Sequence, residues 1–443
     1  MAEDGIGTRE AVSFALGGII GGGIFAVLGV VAEVAGPTAW IAYLVAGLVV
    51  AATGYSYLRL NEYGDRTTGA GGAVTFLEEF TDRPTVAGMV GWTLLVGYVG
   101  TIAMYAYAFG AYFGALFGLT TLPVVGLPAR PVLSVLVIVT FVGINVLGVR
   151  ESGLVEDVLV AVKLLVVAAF GVVGVWYGAA HGRLAFGVAE TLANPVGPIV
   201  AAGVAFVSFE GWQLLFYDQE RMATPYETLR TAVGVSIPVS TLAYVLVAFV
   251  TLSLVSREAV AAHPDLALAI AARQFAGEVG YVAIGVAAVA STASAINATL
   301  FSTALFARGL SSDDLLPDQI APTRAAGVPT KTLLVVGGFT VLFAAYGSLA
   351  AITEFASLSF VVVFGIVNWL AYARGPGDLR AVPLFGLAGT AAFLPLFVWH
   401  LYRAQFAVFV LVLAIAVALL LVEGLYFERE EVRAGLRSVE KRL

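Results

Sequence analysis

The sequence predicts an all-α polytopic membrane protein of about twelve transmembrane helices, and three observations predict it. Of the 443 residues 60% are hydrophobic and only 12% are charged, where a soluble globular chain carries nearer a quarter charged residues. The mean hydropathy is +0.95. Apolar runs of about 18 residues or more recur along the whole chain, each long enough to cross roughly 30 Å of hydrocarbon.

Segmenting on these runs and on their Gly, Pro and charged breakers places spans near 9–35, 38–60, 84–118, 131–149, 154–179, 197–217, 229–254, 279–307, 331–347, 350–373, 381–399 and 405–427. The third and eighth are the longest and are expected to tilt strongly. The opening "MAEDGIGTRE" is acidic, and no small-residue cleavage site follows the first apolar run, which therefore reads as a retained span rather than a removable signal. Basic residues concentrate on the side that holds the N-terminus (Arg59, Arg66, Arg83, Arg150, Arg221 and Arg308 among them), with fewer opposite (Arg130, Arg183, Arg257, Arg273 and Arg403). This bias puts both termini in the cytoplasm. The tail 428–443 mixes both signs and reads as a short solvated helix. A net charge of −7, with lysine only at Lys163, Lys331 and Lys441, suits a GC-rich or salt-loving prokaryote.

Composition also removes several kinds of chemistry. The chain has no cysteine, so disulfides and thiolate metal sites are excluded. His181, His263 and His400 are far apart in sequence and fall near predicted external loops. The aspartates of "SSDDLLPDQ" (Asp313, Asp314, Asp318) read as loop residues rather than as a metal site, and neither HExxH nor GxSxG occurs. With no nucleotide-binding motif either, the expectation is a non-enzymatic protein with no cofactor, no metal and no nucleic-acid partner, whose immediate surroundings are the lipid bilayer.

Two spans depart from a plain apolar helix. The first contains "GGIIGGGIF" (17–25), five glycines in nine residues, each costing about 1 kcal/mol relative to alanine in a helix interior. The sixth contains "SFEGWQ" (208–213), which brings Ser208, Glu210 and Gly211 together at membrane depth. These are the opening helices of two five-helix halves, 8–179 and 197–373, followed by two additional helices within 381–427. A Gly-interrupted segment at matching places in two halves points to an inverted-repeat transporter with a binding site near the bilayer midplane. Irregular backbone at that depth is tolerated only where protein or a water-filled cavity surrounds it.

The residues at these breaks carry a family resemblance. "GIIGGGIF" (18–25) resembles the first-helix signature of the amino acid–polyamine–organocation (APC) transporters, with Gly22 where serine is common. "AFVSFEGWQ" (205–213) is similar to that family's unwound sixth helix, and "DQERMATPYETLRTAV" (218–233) to the acidic loop after it. "ASTASAINATLFSTALFARGLSSDDLLP" (290–317) resembles its eighth helix. The resemblance covers roughly residues 8 to 375. It implies the LeuT-type fold, helices one to five and six to ten as inverted repeats with two helices added, in a single transmembrane domain.

An amino acid would bring a carboxylate and an ammonium into the membrane. Half-helix N-termini offer free N–H groups and a positive dipole end, and Gly21, Gly22 and Gly23 let a ligand approach the backbone without a Cβ in the way. They are the candidates for the carboxylate; the bland alternative is that small residues there only allow close helix packing. A bulky residue at Gly22 is expected to block the site and leave folding intact. Carbonyls near Ile19, Ile20 and Phe206 to Ser208 are candidates for the ammonium, with Phe209 and Trp212 shaping the side-chain pocket or simply packing. Glu210, a carboxylate near the bilayer centre, is by default a functional residue: it binds a cationic side chain, carries a coupled proton, pairs with a structural base, or faces a hydrated vestibule. Lys163 is the other isolated charge, deep in the fifth span. The resemblance implies that a fifth-helix lysine takes the place of the cation that bridges the first and eighth helices in sodium-coupled relatives. Ser291, Ser294 and Asn297, spaced i, i+3, i+6 on the eighth span, line roughly one face toward the same place. Glu33, Tyr105, Asn145 and Glu354 are left as gate or packing residues.

The resulting expectation is a secondary active transporter of the cell membrane, moving amino acids or related organic cations by alternating access with a coupled proton. Sodium coupling and uncoupled exchange on the same fold are the alternatives. A sensor or channel would need a continuous polar pore lining, whereas the polar residues here cluster at two breaks.

Overall fold

A computed structural model of the chain describes residues 5–64, 72–81, 84–122, 126–148, 153–312, 315, 330–375 and 380–422. Asp313, Asp314, Asp318 and the tail 428–443 lie outside them. The helices are α1 (Thr8–Ala35), α2 (Ala39–Tyr63), α3 (Ala73–Thr81), α4 (Pro84–Leu116), α5 (Ala129–Val146), α6 (Gly153–Ala180), α7 (Val188–Ala193), α8 (Gly197–Ala205), α9 (Pro225–Leu254), α10 (Arg257–Ala262), α11 (Ala267–Ser312), α12 (Thr330–Tyr346), α13 (Leu349–Arg374), α14 (Ala381–Ala404) and α15 (Phe406–Val422). Two isolated β-bridges, Ile6 with Met222 and Thr121 with Pro128, are the only β pairing among the described residues.

Nine helical stretches are long and apolar enough to cross a membrane, among the described residues; the first, Thr8–Tyr63, holds both α1 and α2, and two shorter apolar helices, Thr330–Tyr346 and Phe406–Leu421, complete the set. Each span read from the sequence corresponds to one helix or to the interrupted segment Gly197–Arg221. Gly36, at φ 57°, turns α1 into the 3₁₀ turn Gly36–Thr38 before α2, a backbone region that glycine enters without a Cβ penalty. Proline opens α4 and α9, where its missing N–H is an orphan in any case. At 33 residues α4 is about 50 Å long at 1.5 Å per residue, well beyond the hydrocarbon thickness. In α11, Gly277 at φ 59° sets off residues 267–276 from the long span that follows.

The interrupted helices lie at the centre. In their most apolar windows 89% of Thr8–Tyr63 and 94% of Gly197–Arg221 is buried, against 33% for the corresponding window of α6 and 28% for α14. Around α1 pack α9, α11, α8, α6 and α4. A helix that is apolar around its whole circumference has no face to spare for water, and here neighbouring helices cover every side of it.

Candidate functional site

In α1 the non-helical residue is Ile20, at φ −80° and ψ 22°; helix resumes at Gly21. Rotating that peptide plane disturbs the i to i+4 ladder, whose carbonyls at 17 to 20 look for N–H groups across the kink. Side chains from other helices take two of them. The Lys163 ammonium, 3% exposed, donates to the Gly17 carbonyl at 3.3 Å. The Tyr244 hydroxyl lies 2.5 Å from the Ile19 carbonyl and 2.8 Å from the Ser208 carbonyl. It has one proton, so it serves one of the two at a time.

The sixth span breaks more completely. After α8 comes the 3₁₀ turn Phe206–Phe209, then Glu210 in extended conformation and Gly211 at φ 123°, then a second 3₁₀ segment, Trp212–Arg221. Ser357 of α13 staples the C-terminal end of α8: its hydroxyl donates to the Val204 carbonyl at 2.6 Å and accepts from the Val207 N–H at 3.1 Å. One side chain thus satisfies an acceptor and a donor that the helix releases on ending.

The two breaks touch through backbone. A Cβ on Gly211 would lie 2.8 Å from the Gly18 carbonyl carbon, and one on Gly23 would lie 2.6 Å from the Ser208 carbonyl oxygen. Gly21 and Gly22 face other elements. Gly21 meets Ala295 of α11, where a Cβ would lie 2.6 Å from the alanine methyl, and Gly22 meets the ring of Tyr105, with Cδ1 at 2.0 Å. Close packing is therefore present at Gly18, Gly21, Gly22 and Gly23, and the expectation that a bulky residue at Gly22 leaves folding intact is corrected: it would collide with a fully buried ring.

Glu210 is 1% exposed and held by neutral donors. The Tyr105 hydroxyl donates to Oε2 at 3.2 Å and the Gln213 amide to Oε1 at 3.4 Å, while Gln213 Oε1 accepts from the Gly211 N–H at 3.0 Å. Aromatic rings enclose the break on both flanks. Phe209 stands 5.1 Å from Tyr244 and 6.5 Å from Tyr43 between ring centroids; Trp212 stands 5.0 Å from Tyr57 and 5.7 Å from Phe364. Phe206 packs on Phe364 and Phe393. The Trp212 Nε1 and the Ser291 hydroxyl are buried with no hydrogen-bond partner among the described residues.

Ile19, Ile20, Gly21, Gly22, Gly23, Phe206, Ser208, Phe209, Glu210 and Trp212 thus share one buried region. Of the second group, Lys163 reaches α1 directly. Ser291 lies on the face of α11 that packs against Gly21, Ser294 is half-buried, and Asn297 accepts from Asn145 of α5 at 2.8 Å. Sequence reading gives no role to Tyr105, misses Tyr244, Gln213 and Ser357, and places His400 near an external loop, just past the span 381–399, whereas it lies within α14 beside Glu354.

The amino acid permease family profile matches residues 6–424. Among similar proteins, the chain is 28% identical over 283 residues to the inner membrane transport protein YbaT of Escherichia coli, covering 63% of each. It is 26% identical over 281 residues to the serine/threonine exchanger SteT of Bacillus subtilis, covering 62% of this chain and 60% of that one. To the branched-chain amino acid permease BcaP of Bacillus subtilis it is 27% identical over 257 residues, 55% of this chain and 53% of that one. The aligned stretches span less than two thirds of these relatives. The profile spans nearly the whole chain, and on that match this multi-pass membrane protein belongs to the amino acid permease family, a family of transporters rather than enzymes.

Proposed function

We propose that the protein is a proton-coupled secondary transporter that carries amino acids or related organic cations across the cell membrane by alternating access around the two breaks. The observation that carries this reading is the meeting of two interrupted spans over a buried carboxylate, Glu210, with backbone carbonyls at Gly17, Ile19 and Ser208 within hydrogen-bond reach of side chains from other helices. A zwitterion needs such groups, because neither of its charges can enter the membrane unsatisfied. Helices one to five and six to ten act as inverted repeats, with both termini in the cytoplasm. Gly21 to Gly23 present N–H groups to the carboxylate of the substrate. The carbonyls at the breaks take its ammonium once Tyr244 yields one of them, and Phe209 and Trp212 shape the pocket. Glu210 either carries a proton or binds a cationic group. Lys163 supplies a titratable cation where α6 meets the kink of α1, near Ser291, Ser294 and Asn297 of α11, which supports proton rather than sodium coupling.

Names of relatives support the amino acid class, one of them a serine/threonine exchanger and another a branched-chain permease. The exchanger also keeps uncoupled exchange as the second reading. A thermal-shift screen of purified protein against the twenty amino acids, polyamines and decarboxylated amino acids tests the substrate class. Stabilisation by at least one α-amino acid is expected, and it should vanish in Glu210→Gln for cationic ligands. A screen in which no amino acid or amine stabilises the protein overturns the reading.

A further inference from the structure

The transport reading leaves one buried carboxylate unused. Glu354 lies early in α13, and because α13 and α14 pack together as antiparallel neighbours it meets His400 near the end of α14. His400 Nε2 is 3.3 Å from Glu354 Oε1. The glutamate side chain is 2% exposed and the imidazole 21%, so one member is sealed in the protein and the other reaches its edge. Glu354 Oε2 has no hydrogen-bond partner among the described residues. An ionised carboxylate in that position carries a large desolvation cost with half of its acceptors unmet.

Few other charges act there. Glu33, near the end of α1, is a second carboxylate on this side and is exposed. Arg403 follows His400 on α14, but its guanidinium lies over the Trp399 ring at 4.7 Å. The ends of α2, α4, α8 and α15 on this side carry no acid or base beyond tyrosine. Among the described residues no group of three acidic or histidine side chains is placed to hold a metal ion. With His400 neutral and Glu354 ionised, the buried carboxylate meets no cation among the described residues. One proton taken from water removes that imbalance, whether it rests on the imidazole or on the carboxyl.

We propose that Glu354 and His400 form a proton-binding pair, separate from the two breaks, that ties α13 to α14 at the end of the molecule where α1 finishes. The proton enters through the partly exposed imidazole and is shared between Nε2 and Oε1. Loading the pair joins the last helix of the second five-helix half to the first of the additional helices, and unloading it removes the charge-assisted bond between them and leaves a buried anion on α13.

The chain has three histidines, so ¹⁵N-histidine labelling of the full-length protein in detergent gives three ring systems to follow. His400→Gln assigns one by its loss. Between about pH 5 and about pH 8, the range in which histidine changes charge, the His400 signals of the wild type are expected to titrate. In Glu354→Gln the pH dependence of the same signals should differ from that of the wild type, while that of His181 and His263 stays as it was. Identical His400 titrations in both proteins, or no His400 titration in the wild type, overturn the proposal. If Glu354→Gln does not fold, thermal melts of wild type and His400→Gln over the same range decide it: diverging pH dependences support the pair, and superimposable ones overturn it.

Discussion

Replacing Gly22 with alanine adds one methyl group to α1 and should disturb a hydrogen bond on the sixth span. The new Cβ would lie 2.0 Å from Cδ1, 2.5 Å from Cε1 and 2.8 Å from Cγ of Tyr105, where packed carbons stay ~3.5 Å or more apart. The ring is fully buried and must retreat. Its hydroxyl, 3.2 Å from Glu210 Oε2, then leaves bonding range. Overpacking of this kind costs about 1–3 kcal/mol, and a hydrogen bond to a charged group contributes about 1.5–3 kcal/mol. The better helix propensity of alanine returns about 1 kcal/mol. The net loss is expected at about 1.5–5 kcal/mol, read from denaturant or thermal melts in detergent. The decisive comparison is a double-mutant cycle. In a Tyr105→Ala background the methyl meets no ring, so Gly22→Ala should be neutral or slightly stabilising. Equal destabilisation in both backgrounds would refute the claim that Gly22 is small for the sake of Tyr105.

Two further perturbations separate positioning from chemistry. Ser357→Ala removes the one hydroxyl that serves both Val204 and Val207 and should cost about 1–3 kcal/mol in the same melts; an unchanged melt would mean that the end of α8 is held by something else. Glu210→Gln should either flatten the pH dependence of uptake, if the carboxylate carries the proton, or selectively lose cationic substrates, if it binds them. Uptake assays over pH and substrate that match the wild type would leave it a structural residue.

Local sequence carried the fold further than the site. The apolar runs located every span because length and polarity at membrane depth are fixed by the bilayer, not by neighbours. Glycine density located the first break, since a helix loses stability wherever glycines gather, and the cluster of Ser208, Glu210 and Gly211 in an apolar span located the second. It did not say which peptide would turn: the non-helical residue is Ile20, beside carbonyls claimed by Lys163 and Tyr244 from other helices. Tyr105 with Glu210, and Tyr244 with Ile19, are contacts across 105 and 225 residues. No periodicity or spacing encodes such a contact. His400 escaped because α14 continues to Ala404, past the residue where the apolar run thins, so the imidazole belongs to a helix and meets Glu354 rather than a loop.

The coupling claim rests on Lys163, and reconstitution tests it most directly. Purified protein in sodium-free proteoliposomes, given an inward proton gradient and a radiolabelled substrate from the ligand screen, is expected to accumulate that substrate against its own gradient. Lys163→Ala should keep binding or exchange and lose accumulation. Lys163→Arg should not restore it, because arginine stays protonated in proteins and cannot release its proton during a cycle. Sodium-dependent accumulation in the wild type, or proton-driven accumulation that survives in Lys163→Ala, would contradict the account.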